Sequence, residues 1–86
     1  MVSTIGPFEG FTGAPSWDPT KEAVRVQVND YIRNQHDFDG VVDLDKVLRD
    51  PAAPTKVRAD LDSGDHIHPN DAGAQAIANA VRLNDL

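Results

Sequence analysis

The sequence predicts an α/β fold, and three observations carry that expectation. Short β-branched runs, Val2-Ser3-Thr4-Ile5 and Val41-Val42-Asp43-Leu44, read as strands. Each is followed by a segment with a helix-start signal and helical spacing of apolar residues. The order strand, helix, strand, helix is the pattern of parallel strands joined by helical crossovers. Two strands and two or three helices are too little sheet for a doubly wound domain. The 86 residues are expected to form at most one small domain, residues 1–86.

Each element has a local reason. Val2 to Ile5 ends at Gly6-Pro7, where neither residue favours continuing a strand. Pro7 to Trp17 is rich in Gly, Pro and aromatic residues and reads as a long loop with apolar anchors. Asp18 can cap a helix, and Pro19 suits its first position because a missing N–H costs nothing there. Val24, Val28, Tyr31 and Ile32 then fall on one helical face, with Arg25, Gln27, Asn29, Asp30 and Arg33 on the remaining surface. The spacing predicts a helix to about Asn34 or Gln35. Phe38-Asp39-Gly40 reads as a turn before the second strand. Asp45 to Leu48 reads as a helical turn stopped by Asp50-Pro51. Pro51 to Gly64 shows no period and is expected to be a second long loop. Asn70 caps a last helix, Asp71 to about Arg82, with Ala72, Ala76, Ile77, Ala80 and Val81 along one face.

Composition narrows the function. The formal charge is −6, from 14 acidic and 8 basic residues, and no basic cluster breaks it. That argues against a nucleic-acid partner. No apolar run is long enough to span a membrane. The chain has no cysteine, which removes disulfides and thiol chemistry and leaves the redox compartment unread. Met1 to Ile5 has neither a basic region nor a signal-like core.

The chemistry gathers in Gly64-Asp65-His66-Ile67-His68-Pro69-Asn70-Asp71-Ala72-Gly73. Asp65 stands three residues before His68. From that distance a carboxylate can fold back, accept the Nδ1–H of the imidazole, and leave Nε2 free to take a proton. Pro69 holds His68 extended, and the helix start at Asn70 disfavours imidazolium, which Asp65 offsets. A neutral ring able to accept a proton is what a general base requires. A loop histidine bonded to a neighbouring acid is the structural alternative. His66 and His68 invite a metal reading, but no further His or Glu lies near. A calcium loop over Asp60 to Asp71 fails at its sixth position, which holds Asp65 where Gly is required, and at its twelfth, Asp71 where Glu is required. The serines, Ser3, Ser16 and Ser63, occupy no nucleophile turn and read as polar strand or loop residues. Phe8, Phe11, Trp17 and Phe38 read as anchors of their loops, with a substrate pocket as the alternative.

Several blocks together resemble the C-terminal part of the SGNH (GDSL-type) hydrolase superfamily. Its carbohydrate acetyl-esterase-like and extracellular lipase-like branch is the nearest in character. Thr4-Ile5-Gly6-Pro7-Phe8-Glu9-Gly10, Val28-Asn29-Asp30-Tyr31-Ile32-Arg33, Phe38-Asp39-Gly40-Val41-Val42-Asp43-Leu44-Asp45, Leu48-Arg49-Asp50-Pro51 and Gly64 to Gly73 carry the likeness. Ala74 departs from it, standing where a Tyr often follows the Gly. The resemblance implies that this is a partial domain, the C-terminal portion of a three-layer α/β/α fold, with Asp65 orienting the imidazole and His68 as general base. It implies ester hydrolysis without a cofactor. The substrate would be an acetylated carbohydrate or another small ester. It also implies that the serine and the oxyanion-hole Gly and Asn come from upstream blocks absent from these residues. Partners would then be the upstream part of the domain or a second copy. The compartment stays open, although members of that branch are often secreted. The alternative is a non-catalytic module that self-associates or binds a partner.

Overall fold

A computed structural model describes residues 1–35 and 40–85, with side chains to Arg82. Strand β1 (Val2–Ser3) pairs in parallel with β2 (Val41–Val42), in the register Val2 to Val41 and Ser3 to Val42. Between them runs helix α1 (Pro19–Asn34). Helix α2 (Leu44–Leu48) follows β2 directly. Next come an antiparallel pair, β3 (Arg49–Asp50) and β4 (Ala53–Val57), and a 3-10 turn (Ala59–Leu61). Helix α3 (Asp71–Asp85) is the last described element, and the fold is mixed α/β. Among the described residues no helix is long and apolar enough to cross a membrane.

The expected parallel strands and both long helices are present, with shorter strands than the β-branched runs suggest. β2 stops at Val42 because Asp43 turns to cap α2, its carboxylate accepting the Lys46 N–H at 3.1 Å. Leu44 therefore opens a helix instead of closing a strand. α1 starts as its cap signal requires, with Asp18 accepting the Lys21 N–H at 2.8 Å. Phe38 and Asp39 of the expected turn lie outside the described residues.

Two expectations are corrected. Residues Pro51 to Gly64 are not a featureless loop, since they contain β4 and the 3-10 turn. Asp50-Pro51 makes the turn, with the Ala52 N–H donating to the Asp50 carboxylate at 2.9 Å. Along β4 the side chains alternate half-buried and exposed from Ala53 to Lys56, and Val57 ends buried in the core. Pro54 obscures that period, and a proline is tolerated where a strand need not donate.

The second correction concerns α1. Its buried residues are Arg25, Asn29 and Ile32, whereas Val24 and Tyr31 are 54% and 62% exposed. The polar side chains face inward because the backbone and the charges opposite them need partners. Asn29 donates to the Ile5 carbonyl at 2.9 Å and accepts the Ile5 N–H at 2.7 Å. The amide thus occupies the backbone of the residue just past β1, as a neighbouring strand would. Arg25 donates to both Glu22 oxygens, to Asp45 Oδ1 at 2.6 Å and to the Ile5 carbonyl at 3.1 Å. Asp45 Oδ2 accepts from Arg33 at 2.8 Å and Arg49 at 3.1 Å. Thr4 ties β1 to α2, donating to Asp43 and accepting the Asp45 N–H. Hydrogen bonds from Arg33 hold the Asp43 carboxyl down at about 2, against the effect of burial.

The apolar core is small. Leu48, Val57 and Leu61 are buried together, with Val47 and Ile77 packed on them. α3 docks on Leu61 through Gly73, where a Cβ would stand 2.7 Å from the Leu61 carbonyl oxygen and 2.7 Å from Pro69 Cβ. Helix propensity alone makes Gly73→Ala stabilising by about 1 kcal/mol. The clash is with backbone, so we expect the opposite: a loss of about 1–3 kcal/mol from overpacking. A urea midpoint equal to or above that of the parent would show that α3 does not seat this closely.

Candidate active site

The loop joining the 3-10 turn to α3 carries the chemistry, and its ends are pinned. The Asn70 N–H donates to the Leu61 carbonyl at 2.8 Å, and the Ser63 N–H to the His68 carbonyl at 3.1 Å. Asp62 and Pro69 form an isolated antiparallel bridge. Asn70 works in two directions. Its carboxamide oxygen caps α3 by accepting the Gly73 N–H at 2.9 Å, while its amide donates to the Asp60 carbonyl at 2.9 Å. One residue thereby ties the helix start to the loop entrance.

Inside this frame the Asp65 side chain organises its own turn. Oδ1 accepts the N–H groups of Ile67 at 3.0 Å and His68 at 2.8 Å, and the Ser63 hydroxyl at 3.2 Å. Oδ2 receives Nδ1 of His68 in a short hydrogen bond. The contact expected from the three-residue spacing is therefore formed, through the expected ring nitrogen. The bond from the His68 ring, with the His68 and Ile67 amides behind it, holds the Asp65 carboxyl far below the ordinary carboxylate range. Asp65 thus stays an acceptor, Nδ1 carries the hydrogen, and a neutral His68 presents a lone pair at Nε2. The His68 side chain is 72% exposed, and its Nε2 has no hydrogen-bond partner among the described residues.

A second pair, whose contact was not anticipated, lies on the same loop. Asp62 Oδ2 stands 2.9 Å from His66 Nδ1, while Asp62 Oδ1 accepts the N–H groups of Gly64 at 2.9 Å and His66 at 3.0 Å. The four-residue spacing of Asp62 and His66 was the available signal, hidden by the neighbouring Asp65 and His68. Among the described residues no three His, Asp or Glu side chains converge as a metal-holding group.

None of the three serine hydroxyls is hydrogen-bonded to the His68 ring. Ser63 is bonded to Asp65, Ser3 lies on β1, and Ser16 lies in the loop before α1. Trp17 anchors its loop, donating to Glu22 at 3.2 Å. Phe8 and Phe11 line an apolar groove of about 480 Å³ with Ile5, Leu48, Ile77 and the two residues flanking His68, Ile67 and Pro69. The aromatic loop therefore borders the histidine loop. Phe38 lies outside the described residues.

No family model matches the chain, and no curated protein matches it either.

Proposed function

We propose that this chain is the C-terminal part of an SGNH-type serine ester hydrolase domain and supplies its Asp65-His68 pair. The observation that carries the reading is the bonding of Asp65, with one oxygen on two backbone amides and the other on His68 Nδ1, leaving Nε2 open. In the assembled site His68 takes the proton of a serine supplied by an upstream block as that oxygen attacks the ester carbonyl. It then gives the proton to the departing alkoxide. Backbone and amide donors of the upstream Gly and Asn blocks stabilise the oxyanion, and no cofactor is needed. The substrate is a small ester, with acetylated carbohydrate within the class.

Two features support an upstream partner. The apolar groove is lined in part by Ile67 and Pro69, the residues that flank His68 in the chain, and so offers an apolar seat next to the histidine loop. A second apolar depression, lined by Met1, Val2, Val42, Leu44, Ile77 and Val81, shares Leu44 and Ile77 with that groove. The exposed Met1, Ile5 and Tyr31 favour the second reading, a non-catalytic module that pairs with another copy.

The test is complementation. The chain is mixed or co-expressed with an upstream polypeptide carrying Gly-Asp-Ser, Gly and Asn blocks, and p-nitrophenyl acetate hydrolysis is followed. The chain alone should not exceed its own His68→Ala variant, because a base without a nucleophile contributes little. The mixture should turn over in a His68-dependent way. A chain that self-associates and stays inert in every mixture favours the non-catalytic module.

A further inference from the structure

We propose that His66 is a recognition residue of this site, accepting a hydrogen bond from a hydroxyl on the alcohol portion of the ester. This rests on the reading of Asp65 and His68 just given. It narrows the substrate class to esters of polyhydroxylated alcohols, such as partly acylated sugars.

His66 has φ +70°, a conformation glycine adopts freely and a side chain strains. Asp62, whose side chain is 9% exposed, sustains it by holding both the backbone N–H and ring Nδ1 of His66. On its far side the ring lies against Gly10, where a Cβ would come within 3.2 Å of ring atoms Cγ and Cδ2. Gly10 itself sits at φ +97°, so two unusual backbone conformations meet at this ring. The imidazole is thus oriented by a carboxylate on one side and a glycine on the other. Nδ1 faces a carboxylate and carries the hydrogen, so Nε2 of the neutral ring is an acceptor. It has no hydrogen-bond partner among the described residues, and the side chain is 55% exposed.

The direction of proton transfer indicates what this acceptor meets. His68 returns its proton to the leaving alkoxide, so the alcohol portion of the ester is the part beside His68. His66 is two residues away on the same loop. Ile67 and Pro69 line the apolar groove, and neither histidine does. His66 is held instead by a carboxylate, Asp62 accepting its backbone N–H and facing its ring Nδ1. A free hydroxyl near the ester oxygen is the donor that an oriented, exposed nitrogen acceptor can take. A plain aryl or alkyl alcohol offers it nothing.

The experiment compares His66→Gly and His66→Asn with the parent in the complemented enzyme. Both residues tolerate the left-handed backbone, so a variant that fails to melt cooperatively leaves the other to decide. Two esters are used: methyl 3-O-acetyl-xyloside, which has free hydroxyls, and p-nitrophenyl acetate, which has none. The ratio of kcat/KM for the sugar ester to that for the aryl ester should fall about 3- to 10-fold, the loss of one hydrogen bond to a neutral group. KM for the sugar ester should carry most of the change. A ratio unchanged within twofold in the folded variants would overturn the role of His66 and leave the esterase reading standing. Absence of His68-dependent turnover on both esters in the parent complex would remove that reading and this inference with it.

Discussion

Asp45→Ala is expected to destabilise this protein severely, by as much as a large truncation in its apolar core. The Asp45 side chain is 6% exposed and accepts from three guanidinium groups, those of Arg25, Arg33 and Arg49. Removing it leaves Arg25, itself buried, with an unfilled donor and brings three cations together around a void. Breaking a buried ion pair by deleting one partner costs about 3–5 kcal/mol. A domain of this size has a total stability of about 4–13 kcal/mol at the usual value per residue. The loss is therefore a large part of the whole, and circular dichroism in urea should show a midpoint displaced to very low denaturant. Asp45→Asn keeps an acceptor oxygen and the side-chain shape, and should fall between the parent and Asp45→Ala. Tyr31→Ala, at a position 62% exposed, should change stability by less than about 0.5 kcal/mol. If Tyr31→Ala proved the more damaging of the two alanine variants, α1 would be packed through its apolar stripe and the polar core described here would be wrong.

That pair of variants also marks where the sequence was legible and where it was not. The start of α1 is written locally, in Asp18-Pro19, and so is that of α3, in Asn70 and its acceptance of the Gly73 N–H. The Asp65-His68 contact is local as well, a turn closed within four residues by the carboxylate that its spacing brings back. The inward face of α1 is not local. Asn29 faces the core because the Ile5 backbone, 24 positions away, has an N–H and a carbonyl to pair. Arg25 does so because Asp45 lies 20 positions on. A count of apolar positions sees Val24 and Tyr31 and cannot see those distant demands. β4 was obscured for a similar reason, since its pairing with β3 defines it more than its composition, and Pro54 argues locally against a strand. The Asp62-His66 pair uses only nearby residues, but it depends on a left-handed backbone at His66, a conformation uncommon for any residue but glycine.

In the complemented enzyme Asp65→Asn should lower kcat by about 10⁴-fold while leaving the loop folded, and the hydrogen bonding of Asp65 gives the reason. Oδ1 serves two backbone amides, those of Ile67 and His68, at 3.0 and 2.8 Å. An asparagine must keep its single oxygen there, because its NH₂ group cannot accept from an N–H. The NH₂ group then takes the place of Oδ2 and points a donor at His68 Nδ1. The imidazole answers by presenting a lone pair at Nδ1 and moving its hydrogen to Nε2, the atom that has to receive the serine proton. The substitution thus selects the wrong tautomer instead of merely removing a charge. Three measurements check this account. The urea midpoint of Asp65→Asn should stay close to that of the parent. ¹⁵N spectra of the His68 ring should show the hydrogen shifted from Nδ1 to Nε2. The double variant Asp65→Asn with His68→Ala should be little slower than His68→Ala alone, because the two residues act as one unit. An Asp65→Asn enzyme within tenfold of the parent, with the tautomer unchanged, would show that His68 does not depend on Asp65 for its role as a base.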